Sequence, residues 1–344
     1  MTVALVTGGT GFIGGHLVES LLQRGDRVRC LVRDRAKVRG LQDLGADLVT
    51  GSLLDAPPLA EALCGVSVVF HVAGAIAARN YAEFHAVNVE GTRCLAEACA
   101  RQATPPTLIL VSSIAASGPI ARNAVRTENQ SPAPISDYGR SKLAGEEAAR
   151  DLAAQVPTTI VRPGVVFGPR DRSSLAIFSA IQYSGLHAYP RWRSPPLSVI
   201  YVGDLVELLI LAAERGQRLV SPASNQAGSW DASLGRGVYF AVRGEHPTYR
   251  EFGWLAAQAL GRRWYVPLPL VPPLPLVIGG TSQWIARVRG KASIVNLDKM
   301  REATAPSWAC SPEQAERELG FAPSAPLLEQ LRKTVDWYRA ERWL

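Results

Sequence analysis

The chain has 344 residues, a formal net charge of +7 and a hydrophobic fraction of 47%, which suits one large globular domain or two moderate ones. Its basic residues read as scattered, the densest group being Arg33, Arg35, Lys37 and Arg39, which argues against a nucleic-acid surface and for a basic enzyme with small anionic ligands. The five cysteines form no C-x-x-C pair and are odd in number, so neither a metal site nor a disulfide framework is indicated.

The first predicted strand, Val3–Val6, starts too early to leave room for a leader peptide, and a reducing, cytoplasmic setting is expected. It runs into Thr7-Gly-Gly-Thr-Gly-Phe-Ile-Gly14, with glycines at 8, 11 and 14. Gly8 lets the chain turn out of the strand, Gly11 lets backbone approach a pyrophosphate, and Gly14 lets the following helix pack close to the sheet. A helix pattern over 14–24 presents unpaired N–H groups and a partial positive charge to the phosphates. This stretch predicts a bound dinucleotide.

Strands are predicted at 27–32, 47–50, 66–72, 107–112 and 158–162, with helices at 55–63, 82–101 and 138–155 between them. Such alternation reads as βαβ units, hence an α/β fold of the Rossmann type: a doubly wound parallel sheet, with a smaller C-terminal substrate-binding part. Past Gly168 proline and tryptophan become frequent. Residues 199–202 are predicted as a strand returning to the sheet, 204–215 as a helix, 221–236 as an exposed loop, 237–243 as a strand and 248–260 as a helix. Two more helices follow, at 312–319, with Ser311 as its N-cap and Gly320 as its stop, and at 327–339. The division expected is a dinucleotide-binding domain over 1–168, with chain returning at about 198–216 and 237–243. Residues 169–197 and 244–344 form mainly the substrate-binding domain.

Residues 266–280 are apolar but too short to span a bilayer, and their five prolines forbid a regular spanning helix. A lid or core role is favoured there over contact with a membrane surface.

Tyr138 and Lys142 stand one helical turn apart. An ammonium nearby lowers the phenol pKa from about 10, so the pair can move a proton to or from a carbonyl or hydroxyl. The strand at 107–112 ends in Ser112 and Ser113, at the carboxyl edge where parallel sheets bind ligands. Asn88, inside a helix pattern, invites a structural reason such as holding a water or the lysine.

Together these residues resemble the extended short-chain dehydrogenases/reductases, the NAD-dependent epimerase/dehydratase family. His71-Val-Ala-Gly74, Arg162-Pro-Gly164, Phe167-Gly-Pro169, Tyr201-Val-Gly-Asp204, Leu319-Gly-Phe-Ala-Pro323 and Trp337-Tyr338 extend the likeness over nearly the whole chain. The resemblance implies a catalytic set of Ser113 (or Ser112), Tyr138 and Lys142, with Asn88 supporting a proton relay. It implies cofactor contacts from Gly8, Thr10, Gly11, Phe12, Ile13, Gly14, Arg33, Ser52, Leu53, Val72, Ala73, Gly74, Ser112, Tyr138, Lys142, Pro163 and Val165. Ser52 departs from the aspartate common in the family. Val32 stands where an acidic residue would repel a 2′-phosphate, and Arg33 follows it. NADP(H) is therefore favoured over NAD(H), with Asp34 leaving dual use open.

The reaction favoured is hydride transfer between nicotinamide and a carbonyl or alcohol of a bulky, rather apolar substrate, as in 3β-hydroxysteroid dehydrogenases and dihydroflavonol reductases. The alternatives are a nucleotide-sugar epimerase with tightly held NAD and a non-catalytic dinucleotide sensor or scaffold. A dehydratase is disfavoured, because Ile-Ala-Ala follows Ser113 where that subgroup has an acidic pair. A homodimer is a family-level expectation.

Overall fold

The computed structural model describes residues 2–34, 38–190, 194–220, 234–271, 273–288 and 296–344. Its first half alternates strand and helix: β1 (Val3–Thr7), α1 (Phe12–Gln23), β2 (Arg27–Val32), α2 (Arg39–Asp43), β3 (Asp47–Thr50), α3 (Ala56–Leu63) and β4 (Val68–His71). Next come α4 (Tyr81–His85), α5 (Gly91–Ala100), β5 (Thr107–Val111), the short α6 (Ile114–Ser117), α7 (Asp137–Arg150) and β6 (Thr158–Pro163). The single helix predicted over 82–101 is interrupted by a π-helical turn at Ala86–Glu90.

The second half runs β7 (Val165–Phe167), α8 (Arg172–Ser184), β8 (Leu186–Pro190), β9 (Val199–Tyr201), α9 (Val202–Arg215) and β10 (Val238–Ala241). It ends with α10 (Tyr249–Ala259), β11 (Val266–Leu270), α11 (Leu274–Val288), α12 (Leu297–Ala303), α13 (Glu313–Leu319) and α14 (Leu327–Ala340).

Seven strands make one parallel sheet in the order β10-β6-β5-β4-β1-β2-β3. The chain winds outward from β1 in both directions, so the reversal falls between β1 and β4, where Thr7 pairs with His71. Ligands of open α/β sheets bind outside the strands' carboxyl ends at such a switch point.

Burial follows the strand period. Ala4 and Val6 face a core with Leu17 and Leu21 of α1 and Leu205 and Leu209 of α9. Leu5, between them, faces Leu59 of α3 and Leu95 of α5 on the other side. A separate apolar cluster joins α8, α10 and α14 through Phe178, Phe252, Leu331 and Tyr338.

Three expectations need correction here. Residues 199–202 do not return to the main sheet: the Val165 amide bonds the Ser198 carbonyl at 2.8 Å, and β9 pairs with β7 as a separate ribbon. The chain leaves the sheet at Gly164, where a Cβ would come within 2.4 Å of the Ser198 carbonyl oxygen. Ser311 is not the N-cap of α13; Pro312 is, although the Ser311 hydroxyl does accept from the Glu313 amide at 3.2 Å. Gly320 ends that helix in the left-handed region, at φ +66°. The 266–280 segment is not core, since Val266, Leu268, Val271, Leu274 and Val277 are all exposed. Of the loop expected over 221–236, residues 221–233 lie outside the described residues.

Candidate active site

At the end of β1, Gly8 takes φ +75°, and a Cβ on it would meet the Ala73 amide nitrogen at 2.7 Å. The glycine turn and the Val72-Ala73-Gly74 loop after β4 are thus in backbone contact. Gly14 has no room for any side chain: its Cβ would stand 2.1 Å from the Gly8 carbonyl oxygen. Gly11, by contrast, is exposed and is the N-cap of α1, with no side chain capping the helix and no acidic residue in its first turn. Those free N–H groups and the bare backbone suit a pyrophosphate. Thr10 is exposed beside Gly11, while Phe12 and Ile13 open α1 half-buried.

Arg33 follows the end of β2 and is exposed. Ser52 is used locally: its hydroxyl accepts from the Leu54 amide at 3.1 Å and its amide bonds Asp55. Leu53 packs against Gly91 of α5. Pro163 ends β6 and Val165 opens β7, 42% exposed. Arg35 and Lys37 lie outside the described residues.

Ser113, Tyr138 and Lys142 meet next to this turn. Ser113 is the N-cap of α6 and accepts from the Ala115 amide at 3.1 Å. Tyr138 lies near enough for the Ser113 side chain to draw its phenol pKa down. Helix α7 is capped by Ser136, which accepts from the Gly139 amide at 2.9 Å. Its glycines let it press against its neighbours: a Cβ on Gly139 would lie 2.4 Å from the Ala115 carbonyl oxygen, and one on Gly145 would lie 2.3 Å from that of Asn88. That close approach brings the tyrosine to the serine.

Lys142 is buried and donates to the Val111 carbonyl at 2.7 Å. Burial lowers its pKa to about 8, against the upward pull of Glu146. A Cβ on Gly74 would stand 3.3 Å from the ammonium, so glycine there keeps the space beside Lys142 open. Burial raises the Tyr138 pKa, while the Lys299 charge and the Ser113 side chain draw it down. The ammonium acting on the phenol is thus that of Lys299, 4.8 Å from the ring centroid, and not that of Lys142 as expected. Lys299 is itself held by Glu302 at 2.7 Å, and Glu302 accepts from Ser136.

Asn88 sits in the π-helical turn and is buried. Its Oδ1 accepts from the Ala75 amide at 2.8 Å, and its Nδ2 donates to Ser141 at 2.9 Å and to the Ala75 carbonyl at 3.1 Å. The asparagine therefore ties the loop after β4 to α7, whereas the sequence suggested a hold on a water or the lysine. π-turns of this kind are common at functional sites.

The two serines separate clearly. Ser112 donates to Glu146, which pairs with Arg162 (Nε–Oε1 2.9 Å) where both side chains are almost fully buried. Arg162 also reaches Ser117 at 3.0 Å. Glu146, Arg162 and Ser117 of this buried network, and the Thr7–His71–Thr92 chain with contacts of 2.7 and 3.0 Å, were not among the site residues predicted, whereas Ser112 was. Burial, with the Lys142 charge second, lowers the His71 pKa to about 3, so the ring is neutral. A charged pair at 146 and 162, sixteen positions apart on separate elements, leaves no local pattern that could have announced it.

The description "NAD dependent epimerase/dehydratase family" matches residues 4–227. The chain is 33% identical over 342 residues to a ceramide reductase of Caulobacter vibrioides, covering 99% of this chain and 96% of that one. It is 30% identical over 335 residues to a 4-hydroxy-2-methyl-3-oxo-4-farnesyl-3,4-dihydroquinoline-1-oxide ketoreductase of Stigmatella aurantiaca, covering 92% and 91%. The UDP-glucose 4-epimerase of Thermotoga maritima superposes with a TM-score of 0.76 at 22% identity, covering 99% and 100%, a likeness of fold. The chain belongs to the NAD-dependent epimerase/dehydratase family, the extended short-chain dehydrogenases/reductases, and is an NAD-dependent oxidoreductase of that kind.

Proposed function

We propose that the protein reduces a ketone of a bulky, apolar, lipid-like molecule, with Ser113, Tyr138 and Lys142 as its catalytic residues. The observation that carries this reading is the convergence of Ser113, Tyr138 and buried Lys142 at the carboxyl edge next to the glycine turn, where Gly139 of α7 presses on Ala115 and the Lys142 ammonium stands beside Gly74. Residues 1–168 with 198–216, whose α9 packs on the sheet, and 237–243 hold the dinucleotide, and 169–197 with 244–344 form most of the substrate site. When bound, the nicotinamide supplies the hydride that reaches the carbonyl carbon. Tyr138 gives its phenolic proton to the carbonyl oxygen, which Ser113 holds by a hydrogen bond. The Lys142 ammonium orients the ribose, and Lys299 favours the phenolate left behind. Asn88 keeps the loop after β4 and α7 in register.

The two relatives named for a ceramide and for a farnesylated quinoline ketone support an apolar substrate. A steroid or flavonoid ketone shares that chemistry. NADPH is the preferred donor in this reading, because Arg33 is free to meet a 2′-phosphate and Val32 offers no competing carboxylate. Arg33→Ala should weaken NADPH roughly tenfold and leave NADH nearly unchanged; equal losses in a cofactor titration would refute the phosphate role.

The purified protein should oxidise NADPH with long-chain lipid, steroid or flavonoid ketones. It should be inert toward UDP- and GDP-sugars without added cofactor. Epimerisation of a sugar nucleotide under those conditions would overturn the proposal.

A further inference from the structure

Although the basic residues read as scattered along the sequence, the net charge is not. Residues 173–203 and 252–297 hold seven Arg and Lys and no Asp or Glu, so the rest of the chain is neutral. The same two segments supply β8 and β11, which pair in parallel with Leu186 opposite Val266 and Ala188 opposite Leu268. Alternation sends these four side chains to one face of the ribbon. That face is open: Leu186, Val266 and Leu268 are 39%, 41% and 40% exposed, while His187 and Tyr189 on the opposite face are buried.

At one end of the ribbon Trp264 lies against Gly185, where a Cβ would come within 2.0 Å of the ring, and the Arg262 guanidinium stands 5.9 Å from the ring centroid. At the other end Val271, Leu274 and Val277 are exposed, the last two one turn apart on α11. Ten of the seventeen large apolar side chains exposed among the described residues fall in these segments.

We infer that this face docks the protein on the surface of an anionic lipid bilayer. An apolar face carrying exposed Trp264 with Arg262 and Arg263 beside it in sequence, in segments that hold cations and no acidic residue, matches the headgroup boundary of such a membrane. A second copy is the poorer occupant, because two-fold pairing of this face would set Arg262 and Arg263 against their own copies. No described helix is long and apolar enough to cross a membrane, so the contact is at the surface. Behind the open face, Pro267 and Tyr265 line a cleft of about 550 Å³ with Trp254, Arg122, Arg250 and Glu251, next to the docking side. The inference rests on exposure and charge and does not need the substrate proposed above; it adds a source from which a lipid ketone would be taken up.

Co-sedimentation of the full chain with vesicles tests it, without cofactor or substrate. Phosphatidylcholine vesicles containing phosphatidylglycerol should bind the protein, phosphatidylcholine alone should bind it poorly, and high salt should release it. Val277→Asp with Trp264→Ser should weaken binding at least ~tenfold while leaving thermal unfolding and NADPH affinity unchanged. Arg263→Glu gives an independent check, since it changes charge without removing apolar surface. Failure of the native protein to bind anionic vesicles would overturn the inference, as would undiminished binding by these variants. A native dimer that the substitutions convert to monomers, without vesicle binding, would overturn it in favour of a second copy.

Discussion

The sheet's carboxyl edge and the β8–β11 ribbon both reverse the usual partition of side chains, in opposite directions. At the edge Lys142, His71, Asn88, Glu146 and Arg162 are buried. In the ribbon Val266 and Leu268 face outward. The first reversal is tolerated because the buried groups have partners: Glu146 receives Arg162 and Ser112, and Asn88 binds both Ala75 and Ser141. The second has no partner within the described chain. Buried polar groups that are satisfied point inward to chemistry, and exposed apolar groups that are unsatisfied point outward to a surface.

If the edge is a working site, Tyr138→Phe should give the largest effect. Carbonyl reduction should fall roughly 10²–10⁴-fold while NADPH still binds, and near-native turnover would remove the tyrosine from the mechanism. Next in size is the buried ion pair. Glu146→Ala should destabilise the fold by about 3–5 kcal/mol in urea unfolding, because Arg162 is left charged and unpaired. Replacing both by apolar residues should recover most of that loss; no recovery would mean the pair has a role beyond mutual neutralisation.

The edge should also be sensitive to acid. His71 is neutral when folded, with its pKa lowered from 6.5 to about 3 by burial. Unfolding lets the ring take up a proton below pH 6.5, so stability should drop by up to about 1.4 kcal/mol per pH unit as pH falls from 6.5 toward 3. His71→Gln should lose that component of the slope, and an unchanged slope would assign it to other groups. The smallest effect belongs to the ribbon. Leu268→Ala should shift unfolding by no more than about 0.5 kcal/mol, as for a surface position; a loss of about 2–5 kcal/mol would mean the side chain is core after all.

The part of the site that was legible in the sequence is the part built from neighbouring residues. Gly8 and Gly14 declare the turn because backbone sterics at φ +75° and at a 2.1 Å approach admit no side chain. Tyr138 and Lys142 declare one helix face by their spacing. Lys299 could not be found this way: it lies more than 150 positions from the tyrosine and reaches it only because α12 docks on the start of α7, where Asp298 accepts from the Asp137 amide. The interruption at Asn88 was equally hidden, since its helix period is apolar and polar in the ordinary way until tertiary contacts pull the turn wide.

The sequence alone settled the alternation of strands and helices, the dinucleotide turn and the family, because each depends on local backbone preference and short-range spacing. Which serine faces the tyrosine, which ammonium acts on it, and where β9 pairs were decided only by tertiary packing. So was the fate of Val266–Leu270: its valine and leucines are as apolar as those of a core strand, but its two prolines suit an edge, and one pairing partner and an uncovered face leave it at the surface. Hydropathy states how much a segment gains by burial, and only the fold states whether a neighbour is there to bury it.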